Sequence, residues 1–272
     1  MMGGYDIMKR LVRRALQGGP DASFLFGSFI RKARYTFMIG IYDYTVVLTY
    51  CSLISASLGI IVCLHGIGHP FYGVFFLLLS GLCDTFDGRV ARSKKNRTAM
   101  EKSYGIQIDS LADLVAFGIL PGCIGIAMLR VSKRFSDVPH IRHVNPDDKL
   151  VLYPIALMII VILYILAAMI RLAYFNVMEE ERSHTENTAR RYYTGLPVTS
   201  AALIFPTVML IQFLTETDLT MLYFGVMAVV SFLFVSKIRV RKPGLKLILA
   251  MIAIGAVEFA LLVFIHWRAG GI

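Results

Sequence analysis

Long stretches without a charged residue dominate the hydrophobic pattern of this 272-residue chain. Four of them run for 18 to 21 residues: Tyr44–Leu64, Val151–Ile170, Leu196–Thr215 and Leu219–Ser236. A helix needs about 20 apolar residues to cross the hydrocarbon core of a bilayer. The apolar positions do not alternate with polar ones, as they would in the strands of a membrane β-barrel. The pattern therefore predicts an all-α protein with several transmembrane helices.

Shorter and more interrupted apolar stretches raise the predicted number of spans to seven. They cover roughly 44–64, 68–86, 106–129, 151–172, 196–214, 219–236 and 246–265. We expect one polytopic helical bundle over 40–236, followed by a basic loop and an extra helix over 237–272. Segment 1–39 is a separate basic segment, whose apolar positions between 7 and 16 recur at helical spacing. It is expected to be an amphipathic helix lying on anionic lipid headgroups, with a frayed basic tail as the alternative.

The composition excludes a soluble domain and a disordered chain, because 57% of residues are hydrophobic and only 17% are charged. The net charge is +10, which in a soluble protein would suggest a nucleic-acid partner. Here most of the 28 Lys and Arg residues flank the apolar runs, so they indicate orientation and contact with anionic membrane lipids. We expect no nucleic acid, a multi-pass protein of the cell membrane, and a cytoplasmic N-terminus. The loop 130–150, with five basic residues on the outer side, is the exception.

Two pairs of aspartates are the candidate chemical groups. Asp84 and Asp87 are three apart at the end of the second span, and Asp109 and Asp113 are four apart at the start of the third. Each spacing places both carboxylates on one helix face, and the predicted topology brings both pairs to the cytoplasmic surface. Four carboxylates at one depth are more typical of a functional site than of solvated helix ends. Their mutual repulsion predicts bound divalent cations, with oxygen ligands favouring Mg²⁺, Mn²⁺ or Ca²⁺.

Small residues lie next to both aspartate pairs. Gly88, Ala91 and Arg92 continue the face of the first pair, and Gly105 precedes the second pair on its own face. Small side chains allow close helix packing or let a flat ligand lie against the backbone. Since Arg92 adds a cation suited to phosphate, the combination predicts a nucleotide or pyrophosphate substrate.

The aspartate region resembles the signature of the CDP-alcohol phosphotransferase family, D-x2-D-G-x2-A-R-x8-G-x3-D-x3-D. All its fixed positions match, namely Asp84, Asp87, Gly88, Ala91, Arg92, Gly105, Asp109 and Asp113. The gap between Arg92 and Gly105 is twelve residues instead of eight, so we expect a longer connection between the two helices.

Three further stretches resemble the phosphatidylserine synthase branch of that family, so the resemblance extends over roughly 40–236. They are Asp109–Pro121, Arg171–Val177 and Tyr192–Pro197. Tyr174 departs from the pattern, because many members have Arg at that position. The resemblance implies transfer of a phosphatidyl group from CDP-diacylglycerol to L-serine, with release of CMP. It also implies Mg²⁺ or Mn²⁺ as cofactor, two ions rather than one, and a homodimer; Ca²⁺ is less favoured as the active ion.

The resemblance also implies roles for individual residues. Asp84, Asp87 and Asp109 would bind metal, and Asp113 would bind metal or act as the general base. The nucleotide and pyrophosphate would contact Asp84, Gly88, Ala91, Arg92 and Gly105. Arg171 and Asn176 are candidates for binding the acceptor or a lipid phosphate. Glu258, in the middle of the last predicted span, is expected to serve helix packing, pairing or a dimer contact.

Other functions remain open at this point. A family member with another acceptor, such as glycerol 3-phosphate or an inositol compound, would carry the same signature, and so would an enzyme of archaeal-type lipids. A divalent-cation transporter is the alternative from another class. It predicts carboxylates near the middle of the membrane, whereas these four lie at one edge.

Overall fold

The structure is a computed structural model. It describes residues 39–65, 69–132, 152–185, 192–215, 217–241, 250, 253–258, 260–261 and 263–264. The predicted amphipathic helix near the N-terminus lies outside these residues. The described residues from Asp43 onwards belong to one compact unit.

Helices make up most of the described chain. They are α1 (Val47–Leu64), α2 (Pro70–Ser93), α3 (Ala99–Asp113), α4 (Leu120–Val131), α5 (Leu152–Thr185), α6 (Ala201–Thr215) and α7 (Thr220–Val235). Short 3-10 turns, Tyr44–Val46 and Val198–Ser200, lead into α1 and α6. Residues 253–258 are also helical. The described residues therefore confirm a helical protein.

Among the described residues, four helical segments are long and apolar enough to cross a membrane. They are Tyr44–Leu64, Ala99–Val131, Ile155–Glu181 and Val198–Thr215. Helix α7 is apolar but shorter, and α2 carries two aspartates and two arginines in its second half. Apolar side chains such as Ile159, Ile162 and Leu166 are exposed along α5, as expected for a face in contact with lipid. Length and composition support a multi-pass membrane protein, and the number of seven spans stays a prediction.

Local sequence signals explain where α2 and α3 begin. His69 precedes α2, where its Nδ1 accepts a hydrogen bond from the backbone N–H of Phe71, and Pro70 occupies the first helical position. Thr98 and Glu101 form a capping box, in which each side chain accepts a hydrogen bond from the other residue's backbone N–H. The capping box fixes the start of α3 ten residues before Asp109 and so positions the second aspartate pair.

A π-helical segment, Leu114–Ile119, joins α3 to α4 directly after Asp113. Pro121 has no backbone N–H and therefore leaves the carbonyl of Phe117 without its helical donor. The hydroxyl of Tyr164 on α5 donates to that carbonyl at 2.6 Å. The irregular segment is thus held by a buried side chain from another helix, a feature that sequence periodicity does not indicate.

Small and hydroxyl side chains bring α1 and α2 close together. The hydroxyls of Ser52 and Ser80 each donate to the other residue's carbonyl, at 3.3 and 3.1 Å. Ser55 donates to the carbonyl of Phe76 at 2.9 Å. Such contacts satisfy polar groups between helices that have no water around them. They fix α1 beside the helix that carries the first aspartate pair.

Aromatic rings fill the core between α5, α6 and α7. The ring of Tyr164 lies 5.5 Å from those of Phe205 and Phe234, and Phe205 lies 4.9 Å from Tyr223. All four are buried, and offset or edge-on aromatic pairs add to the stability given by burial. This core contacts the π-helical segment through the hydrogen bond from Tyr164 to the carbonyl of Phe117. It thereby supports the helix that carries Asp113.

A short antiparallel ladder is the departure from the predicted all-α architecture. Strand β1 (Tyr192–Thr194) pairs with β2 (Arg239–Arg241), with Tyr193 opposite Val240. Gly195 follows β1 with φ +78°, and its N–H donates to the carbonyl of Ile238 at 2.7 Å. A residue with a side chain is strained at this φ, so glycine permits the turn that leads into α6.

Replacing Gly73 by Ala is expected to destabilise the protein by about 1–3 kcal/mol, because the new methyl group overfills a closed contact. A Cβ there would lie 2.4 Å from Sγ of Cys63 and 2.7 Å from Cγ1 of Ile124. Thermal unfolding in detergent measures the change. Gly225→Ala is the matched control, because no atom lies within 4 Å of that Cβ position, and a stabilisation of up to about 1 kcal/mol is expected from helix propensity. Equal unfolding temperatures for the two variants would contradict the packing described here.

Candidate active site

Three of the four signature aspartates converge in the structure. Carboxylate oxygens of Asp84, Asp109 and Asp113, one from each residue, all lie within 4.8 Å of one another. Asp84 comes from the C-terminal part of α2, and the other two come from α3. Asp113 is only 9% exposed. The spacing of the two pairs therefore places oxygen ligands from two helices around one point.

Asp87, the fourth signature aspartate, lies close to Asp84 and Asp109. It is 8% exposed, and its carboxyl group lies within hydrogen-bonding reach of Asp109, as that of Asp84 does of Asp113. The hydroxyl of Thr49 on α1 donates to Oδ2 of Asp87 at 3.2 Å. Thr49 is itself buried, so a third helix fixes the orientation of this carboxylate.

The four carboxylates have no ion-pair partner among the described residues, since both ion pairs in that part of the chain are made by Lys94 to other acids. Arg92 acts electrostatically on Asp87 without forming an ion pair with it. Adjacent buried carboxylates repel one another unless they bind protons or a cation. The set of four oxygen-bearing side chains fits a hard divalent cation such as Mg²⁺ or Mn²⁺ better than zinc.

Lys94 holds the connection between α2 and α3 in place. Its Nζ donates to Oδ2 of Asp43 at 2.5 Å and to Oε1 of Glu101 at 2.9 Å. The hydrogen bonds to Asp43 and Glu101 raise the pKa of Lys94 above its usual value. Asp43 also accepts a hydrogen bond from the N–H of Tyr44 at the start of the first helical segment. One lysine thus joins the beginning of α1 and the first turn of α3 at the edge of the aspartate cluster.

Two arginine side chains cover the small residues next to the aspartates. A Cβ added at Gly88 would lie 3.2 Å from Nη1 of Arg92, and one added at Gly105 would lie 2.7 Å from Nη2 of Arg97. Arg97 also donates to the carbonyl of Ala91 at 3.5 Å. Guanidinium groups therefore lie against Gly88 and Gly105, and the role of these residues in binding a nucleotide stays a prediction.

The two acceptor candidates of α5 lie in different surroundings. Nδ2 of Asn176 donates to Oγ of Ser110, the neighbour of Asp109, at 2.7 Å. Nε of Arg171 donates to the carbonyl of Leu196 at 3.1 Å, and its guanidinium lies 5.3 Å from the centre of the Phe175 ring. Asn176 is therefore next to the aspartate-bearing helix, whereas Arg171 is buried against the turn that precedes α6. Tyr174, the departure from the family pattern, is largely exposed.

Glu258 is separate from this cluster. It is buried and contacts the hydroxyl of Thr207 on α6 through Oε1, and no residue in the described part of the chain gives its Oε2 a hydrogen bond. This contact agrees with the expected role in pairing between helices and gives the last helix a polar link to α6.

Sequence reasoning missed three residues near the cluster: Thr49, Lys94 and Arg97. The first apolar run, Tyr44–Leu64, contains five Ser and Thr residues, so no signal in the sequence singled out Thr49. The pattern Thr98-x-x-Glu101 was a recognisable capping box, which would have placed the start of α3 and the connection before it. Nothing in the spacing shows which basic residue of that connection turns inward, because several of them are adjacent.

Comparisons with known proteins agree with this geometry. The chain is 32% identical over 142 residues to CDP-diacylglycerol–serine O-phosphatidyltransferase of Saccharomyces cerevisiae, which covers 50% of this chain and 42% of that protein. It is 28% identical over 190 residues to the protein of the same name from Helicobacter pylori, covering 68% of this chain and 67% of the relative.

An archaeal relative is similar to the same extent. It is the archaetidylserine synthase of Methanothermobacter thermautotrophicus, at 27% identity over 189 residues, or 69% of this chain and 66% of that protein. No solved structure matches the chain. The protein-family model for CDP-alcohol phosphatidyltransferases matches residues 45–269, a stretch that contains both aspartate pairs and all seven helices α1 to α7. By its signature, by the convergence of its aspartates and by this match, the chain belongs to the CDP-alcohol phosphatidyltransferase family.

Proposed function

We propose that this protein is a phosphatidylserine synthase, which transfers the phosphatidyl group of CDP-diacylglycerol to the hydroxyl of L-serine and releases CMP. The observation that supports it most is the convergence of Asp84, Asp109 and Asp113, contributed by both halves of the family signature. Two relatives named for this reaction, from a yeast and a bacterium, add support for serine as the acceptor.

The cluster would hold one or two Mg²⁺ or Mn²⁺ ions through Asp84, Asp87, Asp109 and Asp113. Bound there, such ions supply positive charge that stabilises the negatively charged pyrophosphate and the departing CMP. The donor set supports this assignment because it consists of carboxylates, which are hard oxygen ligands. Thr49 would keep Asp87 oriented through the hydrogen bond to its Oδ2.

Asp113 is our candidate for the general base. The hydroxyl of serine is a weak nucleophile at neutral pH, so a nearby carboxylate must accept its proton. In the proposed step, a bond forms between the serine Oγ and the phosphorus that bears diacylglycerol. The bond from that phosphorus to the bridging oxygen breaks, CMP leaves with the electron pair, and the proton passes to Asp113. A single displacement of this kind inverts a chiral phosphorus, and retention would instead indicate a covalent enzyme intermediate.

The nucleotide would lie against Gly88, Ala91 and Gly105, whose missing or small side chains let a flat group approach the backbone. Arg92 would face its phosphates, because its guanidinium already lies over Gly88. Asp84, on the same helix as Gly88, would contact the nucleotide as well as the metal.

Serine would bind between α3 and α5. The hydrogen bond from Asn176 to Ser110 places a polar side chain of α5 one residue from Asp109. Arg171 would contribute positive charge to the carboxylate of serine or to a lipid phosphate. The exposed Tyr174 beside them replaces the Arg of many members, which makes this region the place to look for an altered acceptor.

In the membrane, we propose seven spans with the N-terminus and the aspartate cluster on the cytoplasmic side of the cell membrane. Basic residues on that side would contact anionic headgroups, and the segment 1–39 would lie along them. A homodimer is the proposed assembly, on the basis of the family resemblance.

Transfer to an archaeal-type lipid is the second candidate. The archaeal relative is named for archaetidylserine synthesis and matches about as much of this chain as the bacterial phosphatidylserine synthase does. Both reactions use serine, and they differ in the lipid that carries the CDP group. The aspartate cluster serves either one, because it contacts the pyrophosphate and not the lipid chains.

The test is product formation by the purified protein with labelled L-serine, Mn²⁺ or Mg²⁺, and CDP-diacylglycerol or its archaeal ether counterpart. We expect labelled phosphatidylserine and an equal amount of CMP. CMP release only with glycerol 3-phosphate or an inositol compound would keep the reaction and change the acceptor. No CMP with any alcohol, from protein shown to be folded, would contradict the proposal and favour cation transport, which uptake of Mn²⁺ into vesicles measures directly.

A further inference from the structure

Arg97 lies in the connection between α2 and α3, outside the fixed positions of the family signature. Its Nη2 donates to the carbonyl of Glu101 at 3.2 Å, and its Nη1 donates to that of Ala91 at 3.5 Å. Nη2 also lies 2.7 Å from the position that a Cβ on Gly105 would occupy. The guanidinium group therefore rests on two of the small residues assigned to the nucleotide surface.

The hydrogen bonds of this guanidinium are incomplete. Its Nε is buried and has no hydrogen-bond partner among the described residues, and the two bonds to carbonyl oxygens are long. A guanidinium group has five N–H donors in a planar fork that matches the oxygens of a phosphate. A buried charged donor without a partner is energetically unfavourable. An anion that binds here would therefore be bound more tightly than an anion at a solvated arginine, because it also satisfies that donor.

The surroundings favour a phosphate over a protein carboxylate as that anion. Neither ion pair of the described residues involves Arg97, although Glu101 is four residues away and is bound instead by Lys94. Arg97 reaches the carbonyl of Ala91, which neighbours Arg92 in the chain. Arg92, just before the signature gap, thus covers Gly88, and Arg97, within the gap, covers Gly105.

We infer that Arg97 binds the pyrophosphate of the CDP-linked substrate and is a binding residue that the family signature does not include. In the structure its guanidinium occupies the surface of Ala91 and Gly105. When the nucleotide binds, phosphate oxygens replace the carbonyl oxygens of Ala91 and Glu101 as partners of the guanidinium. They also give Nε the acceptor that it lacks. This inference rests on the proposed function, because it takes a CDP-lipid as the substrate. It places one determinant of substrate affinity in the connection that is four residues longer than the family pattern.

The experiment compares Arg97→Ala with Lys95→Ala, which removes the same charge from an exposed residue of the same connection. For Arg97→Ala we expect KM for CDP-diacylglycerol to rise about tenfold or more, as loss of a charged hydrogen-bond donor to phosphate predicts. KM for serine should stay within about twofold, since no phosphate contact is involved in binding it. Lys95→Ala should match the unchanged protein in both constants.

Binding of CDP, measured by calorimetry on purified protein with Mg²⁺, gives a readout that does not depend on turnover. Arg97→Ala should weaken it to the same extent as KM, and Arg97→Lys should fall between, because lysine keeps the charge but loses the fork. Unchanged CDP affinity in folded Arg97→Ala would overturn the inference. If the unfolding temperature also fell, the result would show that Arg97 stabilises the fold and does not bind the nucleotide. If Arg97→Ala does not fold, Arg97→Lys decides by the same two measurements. A protein that binds CDP through Arg97 but transfers nothing would contradict the proposed function alone.

Discussion

Asp113→Asn is expected to lower the rate of phosphatidyl transfer by about 10³-fold or more, the range that general base catalysis contributes. Asn keeps the size and shape of the side chain but cannot accept the proton of the serine hydroxyl. It also removes one oxygen ligand from the point where Asp84, Asp109 and Asp113 converge. The measurement is incorporation of labelled serine into lipid by the purified variant at saturating Mn²⁺.

Glu258→Gln is the matched control for this change. It makes the same carboxylate-to-amide replacement at another buried position, which contacts Thr207 and lies apart from the cluster. We expect the control to retain activity within a few-fold and both variants to elute as folded protein. Turnover of Asp113→Asn at the level of the control would remove Asp113 from the mechanism.

Removal of divalent cations should reduce CMP release to the background rate. Four carboxylates without an ion-pair partner in the described part of the chain would otherwise repel the pyrophosphate of the substrate. We expect Mg²⁺ or Mn²⁺ to restore the activity after chelation and Ca²⁺ to restore much less. Measuring CMP release against the concentration of each added ion tests this.

Binding of Mn²⁺ followed by electron paramagnetic resonance gives an independent readout of the same site. Asp84→Asn and Asp109→Asn should each weaken Mn²⁺ binding by about tenfold or more, through loss of a charged ligand. Asp43→Asn is the control, because Asp43 binds Lys94 at the edge of the cluster and not the other aspartates. Full activity in excess chelator, or equal Mn²⁺ affinity in all three variants, would show that the cluster is not a metal site.

The sequence predicted much of the site because its spacing is local. Intervals of three and four residues place two carboxylates on one helix face, whatever the rest of the chain does. Two such pairs at the facing ends of neighbouring helices then have to meet. The longer gap before Gly105 likewise predicted a longer connection, and the structure fills it with the end of α2, a short loop and the first turns of α3.

Contacts between distant segments were beyond the reach of that reasoning. Thr49 reaches Asp87 across 38 positions of the chain, and Tyr164 reaches the carbonyl of Phe117 across 47. No periodicity indicates which hydroxyl will meet which acceptor, since the choice depends on how the helices rotate and approach one another. The predicted span over 106–129 lies within the longer helical stretch Ala99–Val131 and gave no sign of the π-helical segment inside it.

The amino-acid sequence by itself determined that the chain is helical and apolar enough for a membrane, and which aspartates share a helix face. These properties follow from hydrophobicity and from the repeat of the helix, which act within one segment. Only the tertiary structure decided that Thr49 orients Asp87, that Lys94 joins two helix starts, and that Arg97 turns onto Gly105. These contacts arise when separate helices pack, because a side chain finds its partner only after the backbones have been fixed at a particular distance and rotation.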